Sequence, residues 1–156
     1  MSNGAKMLIL GLDGADWSVI NPLIDAGKLP NLEVLIKNGA SAPLNSTMPP
    51  MTLPSWSSML TGCNPGKHGI FDFVIKNPNK WALEFSNATH RSIPTIHELL
   101  SNREARVASI AVPTTWPPSE VNGVMVSGFD SPVSTGIDGG FCHPPSLYSE
   151  LQQRFG

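Results

Sequence analysis

Charged side chains are scarce in this sequence. Only 14% of its 156 residues are charged, whereas soluble domains usually have about a quarter, and 10 basic residues against 12 acidic ones give a net charge of -2. There is no basic run and no series of aromatic residues on a basic face. This composition lacks the electrostatic footprint of proteins that bind nucleic acid or anionic membranes. We therefore expect neither among the partners of this protein.

Cysteine is also rare. Cys63 and Cys142 are far apart and form no Cys-x-x-Cys pair, which excludes a disulfide framework and a cysteine zinc site. Their scarcity favours a reducing compartment, and we predict a cytoplasmic protein. The apolar run at residues 6–12 is too short to span a membrane and precedes no small-residue cleavage site.

Several common catalytic motifs are missing as well. The sequence has no GxGxxG, no Walker loop, no HExxH and no GxSxG. What it has in abundance is proline and glycine, with 15 and 14 residues, in four clusters at 43–54, 62–69, 112–123 and 131–145. Such clusters predict long, shaped loops, and functional sites are commonly built on loops.

The apolar patterns predict strands that alternate with helices. We expect strands at 6–12, 40–47, 71–75, 81–85, 106–112 and 121–126, with the strand at 81–85 paired to the strand at 71–75 across the turn NPNK. We expect helices from Asp16 or Ser18 to about Ala26, from Pro30 to Gly39, at 54–60, at 95–102, and from Pro144 or Pro145 to the end. This order predicts an α/β fold in which a mostly parallel sheet is flanked by helices. The length suits a single domain, and no boundary within it is evident.

Asp13 is the first candidate for chemistry. It follows the predicted strand at 6–12, and ligands of open α/β sheets bind at the carboxyl ends of strands. The following residue, Gly14, would let the backbone turn and let a ligand approach closely. The alternative is that Asp13 only caps a helix or makes a turn.

Thr52 is the second candidate. Pro54 suits the first turn of a helix, which places Thr52 at or just before the N-cap. A helix N-terminus favours anions such as phosphate, and a hydroxyl held there could attack phosphorus if it were activated. A metal ion bound by Thr52 and Asp13 would provide that activation by lowering the pKa of the hydroxyl. The alternative is that Thr52 only caps the helix. Among the histidines, we expect His68 to be structural and His97 to lie at the surface.

Read together, these segments resemble a known group of enzymes. The order LDG, LPNL, TLPSW and TGCNPGKHGI resembles the opening of the alkaline phosphatase superfamily, and its type I phosphodiesterase and nucleotide pyrophosphatase branch most closely. The segment VPTTWPPSEVNGVMVSGFDSP, residues 112–132, is also similar to predicted phosphohydrolases or phosphomutases of that branch. The resemblance covers nearly the whole chain and implies an alkaline phosphatase-like α/β fold.

The resemblance also implies roles for the two candidates. Asp13 matches the first metal-binding aspartate, and Thr52 matches the nucleophile, which is itself a metal ligand. The family reaction proceeds in two steps through a phosphothreonine, with two divalent ions that are usually zinc, with manganese as a second possibility. The expected substrate is a small-molecule phosphate ester.

Two departures from the family pattern matter. Phe73 stands where nucleotide pyrophosphatases have an asparagine that contacts a phosphoryl oxygen, and the neighbouring Asp72 is a weak candidate for substrate binding. No Asp-His dipeptide is present, although the family uses one for metal binding. We therefore interpret residues 1–156 as the N-terminal portion of a catalytic domain, incomplete and inactive by itself. A phosphomutase of the same superfamily and a non-catalytic α/β module that binds an anion or a partner remain the alternatives.

Overall fold

The chain contains two compact units. The computed structural model describes residues 6–77, 79–131 and 140–156. Residues 1–45 form unit 1 and residues 46–156 form unit 2. No helix in the described part of the chain is long and apolar enough to cross a membrane.

Unit 1 is built on two short helices, α1 (Trp17–Asp25) and α2 (Pro30–Asn38). Local signals define both. The side chain of Asp16 caps α1 by accepting a hydrogen bond from the Ser18 amide at 2.7 Å, and hydrogen bonds from Ser18 also lower the pKa of this carboxyl. Pro30 opens α2, as predicted, because its fixed backbone angle suits the first helical position.

The prediction of a strand at residues 6–12 is wrong. These residues pair with no described strand, and their apolar side chains are exposed, with Leu8 89% accessible. The strand predicted at residues 40–47 is also absent. A strand requires a neighbour that accepts and donates its backbone hydrogen bonds. Within the described residues of unit 1, the regular elements are helices, which offer none.

Unit 2 contains the sheets and the core. The strands are β1 (Val74–Lys76), β2 (Leu83–Phe85), β3 (Val107–Val112), β4 (Gly123–Ser127) and β5 (Cys142–His143). The first two form an antiparallel hairpin, as the sequence predicts. In the second sheet the order is β3-β4-β5, with β3 parallel to β4 and β4 antiparallel to β5. The short strand β5 was not predicted.

The described residues of unit 2 also contain four helices: α3 (Thr52–Thr61), α4 (Pro65–His68), α5 (Ile96–Ser101) and α6 (Ser146–Phe155). A 3₁₀ turn, η1, spans Ala88–His90. The helix predicted at 54–60 therefore begins two residues earlier, and its end at Gly62 follows expectation because that glycine has a left-handed backbone with φ of 67°. The buried apolar side chains of the unit come from α3, the two longer strands and the connections around them: Leu53, Leu60, Ile70, Val107, Val121, Met125 and Cys142.

Candidate functional site

Thr52 is the first residue of α3, and Met51 is its N-cap. The expectation that Thr52 lies at or before the cap is therefore corrected by one position. The next two residues, Leu53 and Pro54, are buried, while Thr52 is half-buried. Burial of its two neighbours fixes the start of the helix and leaves the Thr52 side chain at the edge of the core. This position gives a hydroxyl both a defined orientation and access to a ligand.

Three hydroxyl groups hold the chain where it enters α3. The Thr47 hydroxyl donates to the Pro49 carbonyl at 2.8 Å and lies 3.0 Å from the Ser55 hydroxyl. The Ser46 hydroxyl lies 3.3 Å from the same Ser55 oxygen. Because Ser55 belongs to the first turn of α3, these contacts tie the preceding loop to that turn. These hydrogen bonds restrain the loop that leads to Thr52.

His68 anchors α3 from the opposite end. Its side chain is fully buried, its Nδ1 accepts from the Ile70 amide at 3.1 Å, and its Nε2 lies 2.9 Å from the Ser58 hydroxyl. This pattern assigns the neutral tautomer with the proton on Nε2. Burial and the nearby charge of Arg91 lower the pKa of His68, which keeps the ring neutral. The structural role predicted for His68 is confirmed.

Thr114 is a buried junction between α3 and the loops beyond β3. The Ser57 hydroxyl, on α3, donates to the Thr114 hydroxyl at 3.2 Å. The Thr114 amide donates to Asp130 Oδ1 at 3.0 Å, and the Thr114 carbonyl accepts from Arg91 Nη1 at 2.7 Å. Thr114 has a left-handed backbone with φ of 63°, which is uncommon for a threonine. These contacts together over-determine its conformation and so hold it there.

Arg91 lies at the centre of a group of charged residues. Burial lowers the pKa of Arg91, and the charges of Glu98 and Asp130 oppose that effect. Burial also raises the pKa of Asp130. For Glu98, burial is outweighed by hydrogen bonds from Thr95 and Ser119 and by the charge of Arg91, so its pKa is lowered. The cation and its two carboxylates thus compensate one another in a partly dry environment.

The position of His97, next to Glu98 on α5, differs from the prediction. We expected it at the surface, but its Nδ1 is buried and has no hydrogen-bond partner among the described residues. Burial, with the positive charge of Arg91, lowers the pKa of His97. Helix α5 has only six residues, which are too few to define a polar and an apolar face. The sequence of this helix therefore could not predict whether His97 is exposed.

Arg91, Thr114 and Asp130 form a connected group that no sequence pattern had indicated. The neighbouring capping box could have been detected, because Thr95 and Glu98 have the required spacing. They do form that box, and the Thr95 amide donates to Glu98 at 2.6 Å. The rest depends on contacts between positions far apart in the chain. No local pattern indicates those contacts.

The two other candidates, Asp13 and Asp72, are both exposed. Asp13 is exposed in a turn of unit 1, where Gly14 has φ of 67°, as the predicted tight turn requires. Thr52 belongs to unit 2. Asp72 is exposed, and its Oδ1 accepts from the Phe73 amide at 2.6 Å, which is a local turn contact. A shared metal site of Asp13 and Thr52, and a substrate contact of Asp72, stay predictions.

The donor types of Asp13 and Thr52 suit a divalent metal ion. A carboxylate and a hydroxyl are oxygen donors of the kind that divalent ions accept. However, the described residues contain no group of three or more histidine, cysteine, aspartate or glutamate side chains that could hold a metal ion. The described part of the chain therefore does not complete a metal site by itself.

Comparison with known proteins identifies the class and then the family. The chain is similar to the crystal structure of phosphonoacetate hydrolase from Sinorhizobium meliloti 1021 in complex with phosphonoacetate, with a TM-score of 0.58 and 28% identity over 63% of this chain. This similarity confirms the alkaline phosphatase-like α/β class. Residues 7–154 match the model of the type I phosphodiesterase / nucleotide pyrophosphatase family, and the chain belongs to that family.

Two further findings define the extent of the match. The chain spans about a quarter of the phosphonoacetate hydrolase chain, since the alignment covers 24% of the latter. No curated protein sequence matches the chain.

Enzymes of this family generally depend on divalent metal ions.

Proposed function

We propose that this chain carries the nucleophile of a phosphoester hydrolase that acts on a small-molecule phosphate ester. Membership in the phosphodiesterase family supports this function, and the position of Thr52 is the observation that carries the assignment of the nucleophile. Thr52 opens α3, between a buried Leu53-Pro54 pair and a loop tied down by hydroxyl contacts. Such a hydroxyl is oriented before substrate arrives, and this preorganisation lowers the entropic cost of attack.

The proposed reaction has two steps. The Thr52 hydroxyl oxygen forms a bond to phosphorus, loses its proton, and displaces the alcohol or alkoxide of the ester. Water then attacks the phosphothreonine, releases phosphate or a phosphomonoester and restores the hydroxyl. A divalent ion would lower the pKa of the threonine hydroxyl when bound. From this chain, Asp13 and Thr52 would serve as ligands, with zinc as the expected ion and manganese as a substitute.

The cellular compartment is a further part of the proposal. Cys63 and Cys142 are both free thiols, which suits a reducing cytoplasm.

The test uses protein expressed from the complete reading frame that contains this chain. Thr52→Ala should lower the turnover of phosphate esters by roughly a thousandfold, because it removes the nucleophile, and Thr52→Ser should retain part of the activity. Asp13→Asn should lower metal affinity as well as turnover. Mass spectrometry after acid quenching should find a phosphoryl group on the peptide that contains Thr52.

Thr61→Ala is the matched control. Thr61 ends the same helix, and its hydroxyl donates to the Ser57 carbonyl at 2.7 Å, so its loss tests the helix without touching the proposed nucleophile. Undiminished turnover by Thr52→Ala would leave Thr52 with a structural role. Transfer of the phosphoryl group to a second acceptor, with no release to water, would support a phosphomutase instead.

A further inference from the structure

Unit 2 contains a cleft of about 410 Å³ that has no part in the proposed reaction. Residues 88–94 form one wall, Pro117, Pro118 and Ser119 form the other, and Glu98 on α5 completes the lining. Thr52 does not line it. The volume lies in the range of small-molecule binding sites.

The walls of this cleft are fastened to each other. Three hydrogen bonds join them or the segments behind them: from the Ala88 amide to the Trp116 carbonyl (2.7 Å), from Arg91 Nη1 to the Thr114 carbonyl (2.7 Å) and from the Ser119 hydroxyl to Glu98 Oε1 (3.1 Å). A cleft held in this way is already formed before a ligand arrives. Little conformational entropy is then lost on binding.

Arg91 provides the polar recognition group. One nitrogen, Nη1, is occupied by the Thr114 carbonyl, and no described residue accepts a hydrogen bond from the other guanidinium nitrogens. Those nitrogens belong to a side chain that lines the cleft. A guanidinium with unused donors in a partly dry site binds carboxylate or phosphate oxygens.

Glu98 determines how much negative charge the cleft accepts. Its carboxylate receives hydrogen bonds from the Thr95 amide, the Thr95 hydroxyl and the Ser119 hydroxyl, so it is ionised and fixed in place. Arg91 and Glu98 together leave the lining electrically neutral, and the nearby Asp130, which is outside the lining, adds negative charge around Arg91. A second negative charge on a ligand would therefore be repelled. The apolar part of the lining consists of Ala88, Ile93, Pro94, Pro117 and Pro118, beside the hydroxyl groups of Thr89, Ser92 and Ser119.

We propose that this cleft binds a small molecule with one carboxylate and an apolar body, with the carboxylate on Arg91 and the body against the prolines. This ligand class differs from a phosphate ester in charge and geometry. The inference does not depend on Thr52 being a nucleophile.

Binding can be measured by NMR on the isotopically labelled full chain with benzoate as the probe. We expect benzoate, at millimolar concentrations, to shift the amide signals of Ala88, Ser92 and Ser119 and the side-chain signal of Arg91. Benzamide, which has the same shape without the charge, should bind about tenfold more weakly or worse. Phenyl phosphate and inorganic phosphate, as dianions, should also bind more weakly than benzoate.

Two variants test the role of Arg91. Arg91→Gln should weaken benzoate binding about tenfold or more, whereas Arg103→Gln, at an exposed position outside the cleft, should not change it. Because Arg91→Gln removes a bond to Thr114 and could unfold the chain, Ser92→Asp is the second variant. It places a negative charge on the exposed rim of the cleft and should weaken benzoate binding without touching that bond.

Three results would overturn the proposal. They are no localised shifts with benzoate, equal binding of benzamide, or benzoate binding that Ser92→Asp leaves unchanged. Tighter binding of phenyl phosphate or inorganic phosphate would overturn the ligand class and assign the cleft to phosphate chemistry. None of these results bears on the Thr52→Ala experiment, so the two proposals can fail separately.

Discussion

Unit 1 and unit 2 form their helices in different physical circumstances. In unit 1 no described residue is buried, and α1 and α2 rest on the Asp16 cap, the Pro30 start and an ion pair of Lys37 with Glu33. In unit 2, α3 buries Leu53 and Leu60. Local signals are therefore sufficient to specify where a helix begins, but burial decides how firmly its side chains are positioned.

This difference matters for the two candidate residues. Asp13 belongs to unit 1, where no described residue is buried, and Thr52 opens a helix that is held by Ser57, Ser58 and His68. Packing of α3 therefore restricts the position of Thr52. The following changes compare the two units, from the largest expected effect to the smallest.

Glycine substitutions should give the largest difference between the units in the free energy of unfolding. Gly123 has φ of 147°, and a Cβ there would overlap the Val107 carbonyl across the β3–β4 pairing. We expect Gly123→Ala to reduce the free energy of unfolding by about 3 kcal/mol or more, because both backbone strain and a clash arise. Gly27→Ala, with φ of 68° and no atom within 4 Å, should cost only about 1 kcal/mol. Chemical denaturation measures both, and equal costs would contradict the packing difference.

Leucine truncation is the next test. Leu60 is 3% exposed and Leu44 is 94% exposed. Leu60→Ala should destabilise unit 2 by about 3 kcal/mol through lost burial and a residual cavity. Leu44→Ala should change the free energy of unfolding by less than about 0.5 kcal/mol. The same denaturation curves serve here, and a large effect of Leu44→Ala would show that its side chain is buried in solution.

The next comparison concerns the pH dependence of stability, to which His68 contributes in unit 2. The pKa of His68 is lowered in the folded state, so its contribution is complete above the ordinary value of 6.5 and is lost as the pH falls through the folded pKa. The unfolding midpoint should therefore decrease as the pH falls below 6.5. In His68→Asn, whose Oδ1 can still accept from the Ile70 amide, this decrease should be smaller.

Asp16, His97, Glu98 and Asp130 also titrate, with the change at Asp130 opposite in sign, but all four are common to the wild type and the variant. The difference between the two proteins therefore reports His68 alone. Identical pH profiles would show that His68 does not resist protonation.

The smallest effect is expected on α2. Lys37 and Glu33 form an exposed ion pair one turn apart. Lys37→Ala should alter the free energy of unfolding by about 0.5 kcal/mol or less, since exposed pairs contribute little and alanine favours the helix. Circular dichroism during thermal unfolding is sufficient to check this, and a loss above about 1 kcal/mol would mean that the pair is shielded from water.

The sequence predicted most regular elements of the chain from short-range patterns. The hairpin of β1 and β2, the strands β3 and β4, and all the predicted helices are present, with ends shifted by a few residues. The pairing of β3 with β4 was not predicted. The strand at 6–12 failed because apolar content indicates burial but does not provide a pairing partner. The strand β5 was not predicted because a segment of two residues is too short to show an alternating pattern.

The sequence alone specified the helix start at Pro30, the turn at Gly62 and the family of the chain, and it limited the cap of α1 to Asp16 or Ser18, because capping, fixed backbone angles and motif order depend on neighbouring residues. Tertiary packing determines that Thr114 joins α3 to Arg91 and Asp130, and that Arg91 lines a cleft. These contacts connect positions far apart in the chain. Their geometry depends on how the backbone packs, and no local pattern contains that information.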